Sequence, residues 1–334
     1  MLQSIGTLSA SYSNRIFNAR IRTDLNTLAQ ELTSGRKSDL RSALSGDMVP
    51  VAALERSLSR LRAFDTVTTE ADLFTNTLQQ SLERIKTQIE GLTEAALAME
   101  NTTSPALIHN FGEEASSRFE ALVGTLNTTV AGRSLFSGDD TESRAVADPK
   151  LILDDLAALL PATATAEDVS AAVDAYFAPG GTFETARYLG STDPLAPFRL
   201  TPEDTVSPGI DARQSELRAM LAATAKGALL ARGALSGDIQ NQSNLISIAR
   251  DDLLGATAGI VALSASVGTG EARIDAARSR NGAETASLQH SLAKLVTADP
   301  YDTATGLQAV QSQLDTFYTV TARLSQLNLT GYLR

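Results

Sequence analysis

LQAVQSQLDTFYTVTARLSQL, residues 307–327, is the stretch on which the fold turns. Its apolar residues Leu307, Val310, Leu314, Phe317 and Leu324, with Thr321 between the last two, recur at alternating steps of three and four, the spacing of one stripe along an amphipathic helix. A lone stripe cannot bury itself. The N-terminal region repeats the pattern: Ile21, Leu25, Leu28 and Leu32 are spaced four, three and four, and the helix runs into Ser34-Gly35, a C-cap sequence. With such segments at both ends, the economical way to cover the stripes is to pair the ends with each other or with neighbouring copies. The residues expected at this assembly interface are Ile21, Leu25, Leu28, Leu32, Leu307, Val310, Leu314, Phe317, Leu324 and Leu327.

Inward from the ends the pattern lengthens. Apolar residues from Leu54 to Met99 keep steps of three and four throughout, predicting a helix of roughly 70 Å at about 1.5 Å per residue. Asn101–Pro105 ends it, and a second helix over 105–130, carrying Phe111, Phe119, Leu122 and Leu126, completes a hairpin. A further stripe, Leu288, Leu292 and Leu295, precedes Asp299-Pro300, where Asp299 reads as an N-cap and Pro300 as an early helical residue. Seven of the ten prolines fall between Pro149 and Pro208, while the flanks are nearly free of them, so the middle reads as a separate module. Within it, 151–160 and 166–177 are predicted as helices and 182–189 and 196–200 as short strands, with turns at Gly180, Gly181 and Gly190. Helical patterning resumes over 211–231 and 244–263, and Gly268 and Gly270 are expected to break it as a hinge. The expected fold is mainly α: an elongated rod of long antiparallel helices built from both chain ends, with a small α+β insert. Its parts are an N-terminal arm (1–45), the first half of the rod (46–138), an acidic Pro-rich insert (139–209), the second half of the rod (210–268) and a C-terminal arm (269–334).

Charge follows the same division. Residues 1–62 hold nine Lys/Arg against five Asp/Glu, a net of +4, whereas 139–205 hold four against thirteen, a net of −9. A chain of net −11 with no dense Lys/Arg run argues against nucleic acid as a partner. Cysteine is absent, which excludes disulfides and thiolate metal sites. No run of eighteen apolar residues is present, and residues 1–10 lack the pattern of a cleaved signal peptide. The polar faces of the amphipathic stretches mix both charges, which favours partner helices over a membrane surface.

Catalytic patterns are scarce. His109 and His290 stand far apart, each without an acidic or histidine partner at the spacing of a zincin motif. The pairs Asp139-Asp140, Asp154-Asp155 and Asp251-Asp252 lack the alternating oxygens of a calcium loop and read as helix caps and solvated turns. Gly268-Thr269-Gly270 lacks the remainder of a phosphate loop, and no Gly-x-Ser-x-Gly elbow occurs. No catalytic, metal-binding or cofactor-binding residue is assigned, and an enzyme is not expected.

Three segments carry a family resemblance. Leu28–Lys37 (LAQELTSGRK) is similar to the segment near the start of bacterial flagellins and of the hook–filament junction proteins, the hook-associated members of the flagellin superfamily. The motif Gly132, Arg133, Ser134, Leu135, Phe136, Ser137, Gly138 resembles an element typical of the junction proteins, with Ser134 where they usually have tyrosine. Ala298–Asp302 (ADPYD) followed by 307–333 is similar to the closing arm of the superfamily. The resemblance implies a structural subunit of the bacterial flagellum at the hook–filament junction, the platform for flagellin polymerisation. It would be exported unfolded without a cleaved signal peptide and located extracellularly on the flagellum. Implied partners are further copies in a ring or helical lattice, a sister junction protein, flagellin and an export chaperone. Such arms would fold on assembly. Two alternatives stay open: flagellin itself, and a secreted helical adhesin or injectisome-tip protein.

Overall fold

The computed structural model describes residues 2–99, 104–161 and 163–332, with the side chains of 2–8, 10 and 324–332 outside the description. The fold is mainly α, and the chain divides into two compact units, residues 1–61 with 283–334 and residues 62–282. In order, the helices are α1 (Leu2–Ser34), α2 (Leu40–Ala43), α3 (Val49–Ala98), α4 (Pro105–Leu126), α5 (Pro149–Leu159), α6 (Ala166–Phe177), α7 (Ser215–Ala231), α8 (Ile239–Val296) and α9 (Pro300–Tyr332). Two short antiparallel ladders join them: β1 (Thr129–Val130) with β2 (Arg133–Ser134), and β3 (Phe198–Arg199) with β4 (Thr205–Val206).

The core of the 62–282 unit is the stripe read from the sequence. Phe74, Leu78, Leu82, Ile85, Ile89 and Leu92 of α3 are buried, as are Phe111, Phe119, Leu122 and Leu126 of α4. Helix α7 lies at the centre, flanked by α4, α5 and α6, and nearly all its residues from Leu217 to Leu230 are buried. The α4–α7 approach is close because both helices place glycine at the contact. A Cβ on Gly112 would sit 2.6 Å from the Ala231 backbone nitrogen, and one on Gly227 would sit 2.9 Å from the Ala115 Cβ. Gly112→Ala is therefore expected to cost about 1–3 kcal/mol through overpacking, despite the better helix propensity of alanine. Thermal unfolding followed by circular dichroism should show the midpoint falling by about 2–10 °C.

Local chemistry fixes the insert. Thr165 and Asp168 form a capping box at the start of α6, and Pro149 opens α5 behind the Asp148 cap. Two expectations are corrected here. Residues 182–189 are not a strand: Phe183–Arg187 form a π-helical turn, closed by the Tyr188 amide donating to the Phe183 carbonyl at 2.7 Å. The Phe183 ring is fully buried, 5.0 Å from Phe177, and this anchor overrides the strand-like pattern of side chains. The second correction concerns Gly268 and Gly270, which do not break the chain: α8 runs through both for 58 residues. Glycine costs a helix only about 1 kcal/mol. Packing along Leu263, Val267 and Ile274 offsets it, and Val206 closes on Gly270 to 3.5 Å from where a Cβ would stand.

By length and composition α8 is apolar enough to cross a membrane. Its residues Leu253, Ala256, Ile260, Leu263 and Val267 are nevertheless part of the protein core.

Candidate assembly interface

In the unit formed by residues 1–61 and 283–334, α1 and α9 pack against each other. Ile21 is 3% exposed. Phe17 meets Phe317 at 5.5 Å between ring centres, and the Tyr318 hydroxyl accepts from Arg22 at 3.1 Å and from Asn18 at 3.4 Å. The Leu28 methyls stand 3.6 Å from where a Cβ on Gly306 would lie, an ordinary van der Waals distance that marks where the two helices touch.

A joint at the inner end of the arms pins their entry. The Lys37 amide donates to the Val296 carbonyl at 2.8 Å, Ala298 donates to Gly35 at 3.1 Å, and Arg36 bridges Thr297. Gly35 ends α1 at φ 67°, a left-handed cap that favours glycine, and Asp299 accepts from the Tyr301 amide at 2.8 Å to start α9. Two segments some 260 residues apart, each legible as a helix end, thus meet in one short ladder.

Of the expected interface residues, Ile21 is buried; Leu25, Leu28, Leu307, Val310, Leu314 and Phe317 are half-buried; and Leu32 is exposed. The side chains of Leu324 and Leu327 lie outside the described residues. Beside the pair an apolar groove of about 440 Å³ is lined by Phe17, Ala309, Thr316, Phe317 and Val320. Tyr12, Ile16, Phe17 and Val320 remain between 48% and 61% exposed. Phe17 stands outside the expected set, although it lies four residues before Ile21 and continues the same stripe.

The motif Gly132–Gly138 is a structural node in the other unit. Ala131 and Gly132, both at positive φ, make a tight turn between β1 and β2. Arg133 pairs with Glu70 of α3, Leu135 and Phe136 are buried, and the Phe136 carbonyl accepts from Ala212 at 2.9 Å. Ser137 donates from its hydroxyl to the Asp140 carbonyl and accepts at its own carbonyl from Ser191. A Cβ on Gly138 would stand 2.6 Å from the Asp193 carbonyl oxygen, so only glycine fits there. The segment therefore ties the insert to α3 and to the residues just before α7.

Both members of Asp154-Asp155 and of Asp251-Asp252 are ion-paired where caps and solvated turns were expected, whereas Asp139-Asp140 lies at a turn as the sequence suggests. Arg187 holds Asp155 in a two-pronged bond at 2.6 and 2.8 Å, which keeps its carboxyl below the usual carboxylate range. Asp154 pairs with Arg232, and Asp252 with Lys226. Both histidines are exposed, with His109 3.8 Å from Glu113. Among the described residues no group of three His, Asp or Glu stands where it could hold a metal ion.

Glu271 is the exception among the carboxylates. Its Oε1 is buried without a hydrogen-bond partner, and desolvation together with the nearby Asp72 and Asp275 raises its pKa. The ionised form burdens the folded state at neutral pH, and the burden disappears as pH falls through the raised value toward that of the unfolded chain. Glu271→Gln is accordingly expected to raise the melting midpoint by about 1–3 °C at pH 7 and to leave it unchanged below about pH 4.

Residues 251–333 match the family model of the bacterial flagellin C-terminal helical region. No curated protein matches the chain. Among the solved structures that share its fold are a putative flagellar hook-associated protein from Vibrio parahaemolyticus and FlgL from Bacillus cereus. The first is 14% identical with a TM-score of 0.52, covering 75% of this chain and 99% of that one. The second is 11% identical with a TM-score of 0.52, covering 71% of this chain and 97% of that one. The C-terminal quarter is thus similar to the flagellin C-terminal helical region, on a chain similar in fold to a putative flagellar hook-associated protein and to FlgL.

Proposed function

We propose that this chain is a structural subunit of the bacterial flagellum at the hook–filament junction, assembling through its paired terminal helices and offering the platform on which flagellin polymerises. The observation that carries this reading is the α1–α9 pair, whose aromatic and aliphatic residues stay exposed along one side in a single copy. Contiguous exposed apolar surface marks an interaction site, and more copies of the same pair would cover it. In this reading 1–45 and 269–334 are the assembly arms, 46–138 and 210–268 the body, and 139–209 an outward insert. Its partners are further copies, a sister junction protein and flagellin, with an export chaperone before assembly. It reaches the cell exterior without a cleaved signal peptide and has no catalytic role.

Deleting the gene should leave hooks without filaments and release flagellin into the medium; complete filaments on swimming cells would refute the reading. The match of 251–333 to a flagellin region favours one other reading, flagellin itself. Copy number separates them, since a handful per flagellum fits a junction subunit and thousands fit a filament. Hydrogen exchange on unassembled copies should find residues 2–32 and 307–333 exchanging rapidly, because ordering them is offset only by burial against neighbours. Full protection of the last thirty residues would contradict folding on assembly.

A further inference from the structure

Asn281-Gly282, within α8, is the one place in the sequence where glycine follows asparagine; every other asparagine precedes a residue that carries a side chain. The Asn281 side chain is 6% exposed, and its Nδ2 donates to the Leu200 carbonyl at 3.0 Å, across 81 residues of sequence. Leu200 opens the turn between β3 and β4, and the same turn offers Asp204 to Arg273 and Arg280 of α8. The core of the unit extends no further along α8 than Ala277, so Asn281 and Arg280 hold the hairpin to the helix beyond it. A Cβ on Gly282 would meet nothing within 4 Å among the described residues, so packing does not require glycine there.

We propose that Asn281-Gly282 is a site of spontaneous covalent modification, closed by the fold and opened by unfolding. The chemistry needs only water. The Gly282 backbone nitrogen, giving up its proton to solvent, attacks the Asn281 Cγ; a C–N bond forms, the bond from Cγ to Nδ2 breaks, and Nδ2 leaves as ammonia with a proton returned by solvent. The product is a five-membered succinimide. Water then adds to either of its two carbonyl carbons and opens the ring, giving aspartate or, where the chain continues through the side-chain carbon, isoaspartate; nothing is oxidised or reduced. Glycine favours the attack because it leaves the nitrogen uncrowded and the backbone free to turn. Helix α8 forbids it. Ring closure requires Asn281 to leave the helical ψ of about −42°, whereas in the helix the Gly282 N–H is committed to the carbonyl of Arg278 and the Asn281 amide is held by Leu200. The product does not suit the fold it came from. A carboxylate at this position has no N–H to give Leu200, and it sets a charged acceptor against a carbonyl oxygen in a buried place. Isoaspartate also lengthens the backbone and breaks the helical ladder. Time spent unfolded is thus recorded at one bond, and a copy so altered loses the contact that seats its hairpin.

Incubating the full chain in mildly alkaline buffer, folded or in urea, tests this. Peptide mass mapping and enzymatic methylation of isoaspartate should find conversion at Asn281 in urea, with ammonia released in step. Conversion should be at least about tenfold slower in the folded chain, where the site reacts only through local opening. Gly282→Ala should release little ammonia from this position in urea, and should keep its melting midpoint or raise it by up to about 4 °C, alanine being the better helix former. Once urea is removed, the converted chain and Asn281→Asp should both melt about 2–10 °C below the parent. Equal rates in the folded and unfolded chain, a rate in urea no faster than that of Gly282→Ala, or a parental midpoint in the converted chain would each overturn the inference. All these assays use the isolated chain, so their failure would leave the junction reading intact.

Discussion

Truncation after Thr303 should leave residues 62–282 folded and abolish incorporation into the flagellum. The buried core of that unit extends no further along the chain than Ala277, and the helix packed on α9 is α1. Removing α9 therefore takes nothing from the core and everything from the arm pair, including the Phe317 ring against Phe17 and the Tyr318 hydroxyl that accepts from Arg22. Thermal unfolding of the truncated chain should stay within about 2 °C of the parent, since unrelated contacts rarely move a midpoint further. Incorporation, scored by recovery in purified hook–basal bodies, should fall to background. Ile21→Asp asks the same question without truncation, by placing a carboxylate in the buried seam. Normal incorporation of either variant would show that the α1–α9 pair is dispensable.

The second large effect is expected at Lys226, whose side chain is 2% exposed at the centre of the 62–282 unit. Its ammonium sits 2.8 Å from Asp174 of α6 and 2.5 Å from Asp252 of α8, so one cation on α7 ties the insert to the long helix. The two carboxylates are asymmetric with the lysine, being 57% and 42% exposed. Losing the lysine leaves two hydrated anions; losing both anions leaves a buried cation with no counter-charge. Asp174→Asn with Asp252→Asn should therefore cost about 3–5 kcal/mol and lower the melting midpoint by about 6–20 °C. Lys226→Met, which keeps the length of the stem, should cost less than about 1.5 kcal/mol. Equal losses in the two variants would mean that packing, and not the unpaired charge, sets the energy.

The arms, the long stripe of α3 and the bounds of α6 are legible in the sequence because each is a local signal. Helix α6 spans Ala166–Phe177 as expected, since Thr165 and Asp168 announce its start and Gly180-Gly181 follow its end. The failures share one cause, a tertiary contact outweighing a local preference. Gly268 and Gly270 look like breakers until Val206 is seen packing on the second of them, and 182–189 looks extended until Phe183 is seen in the core. Partners such as Glu70 for Arg133 and Arg187 for Asp155 lie 63 and 32 residues away, and no spacing rule brings them together. The assembly stripe was read in part. Phe17 was within reach of the same periodicity, four residues before Ile21.

The joint at Gly35–Lys37 and Val296–Ala298 has a temporal consequence. A chain that emerges N-terminus first presents α1 long before α9, and the two can meet only after nearly the whole sequence has appeared. Closing so long a loop is slow for an open coil, although each doubling of length adds only about 0.6 kcal/mol of entropy. Folding of residues 62–282 beforehand replaces that coil with a compact body. The ladder at the joint is then expected to close after that body has formed, leaving the arms beyond it to order as neighbouring copies cover them.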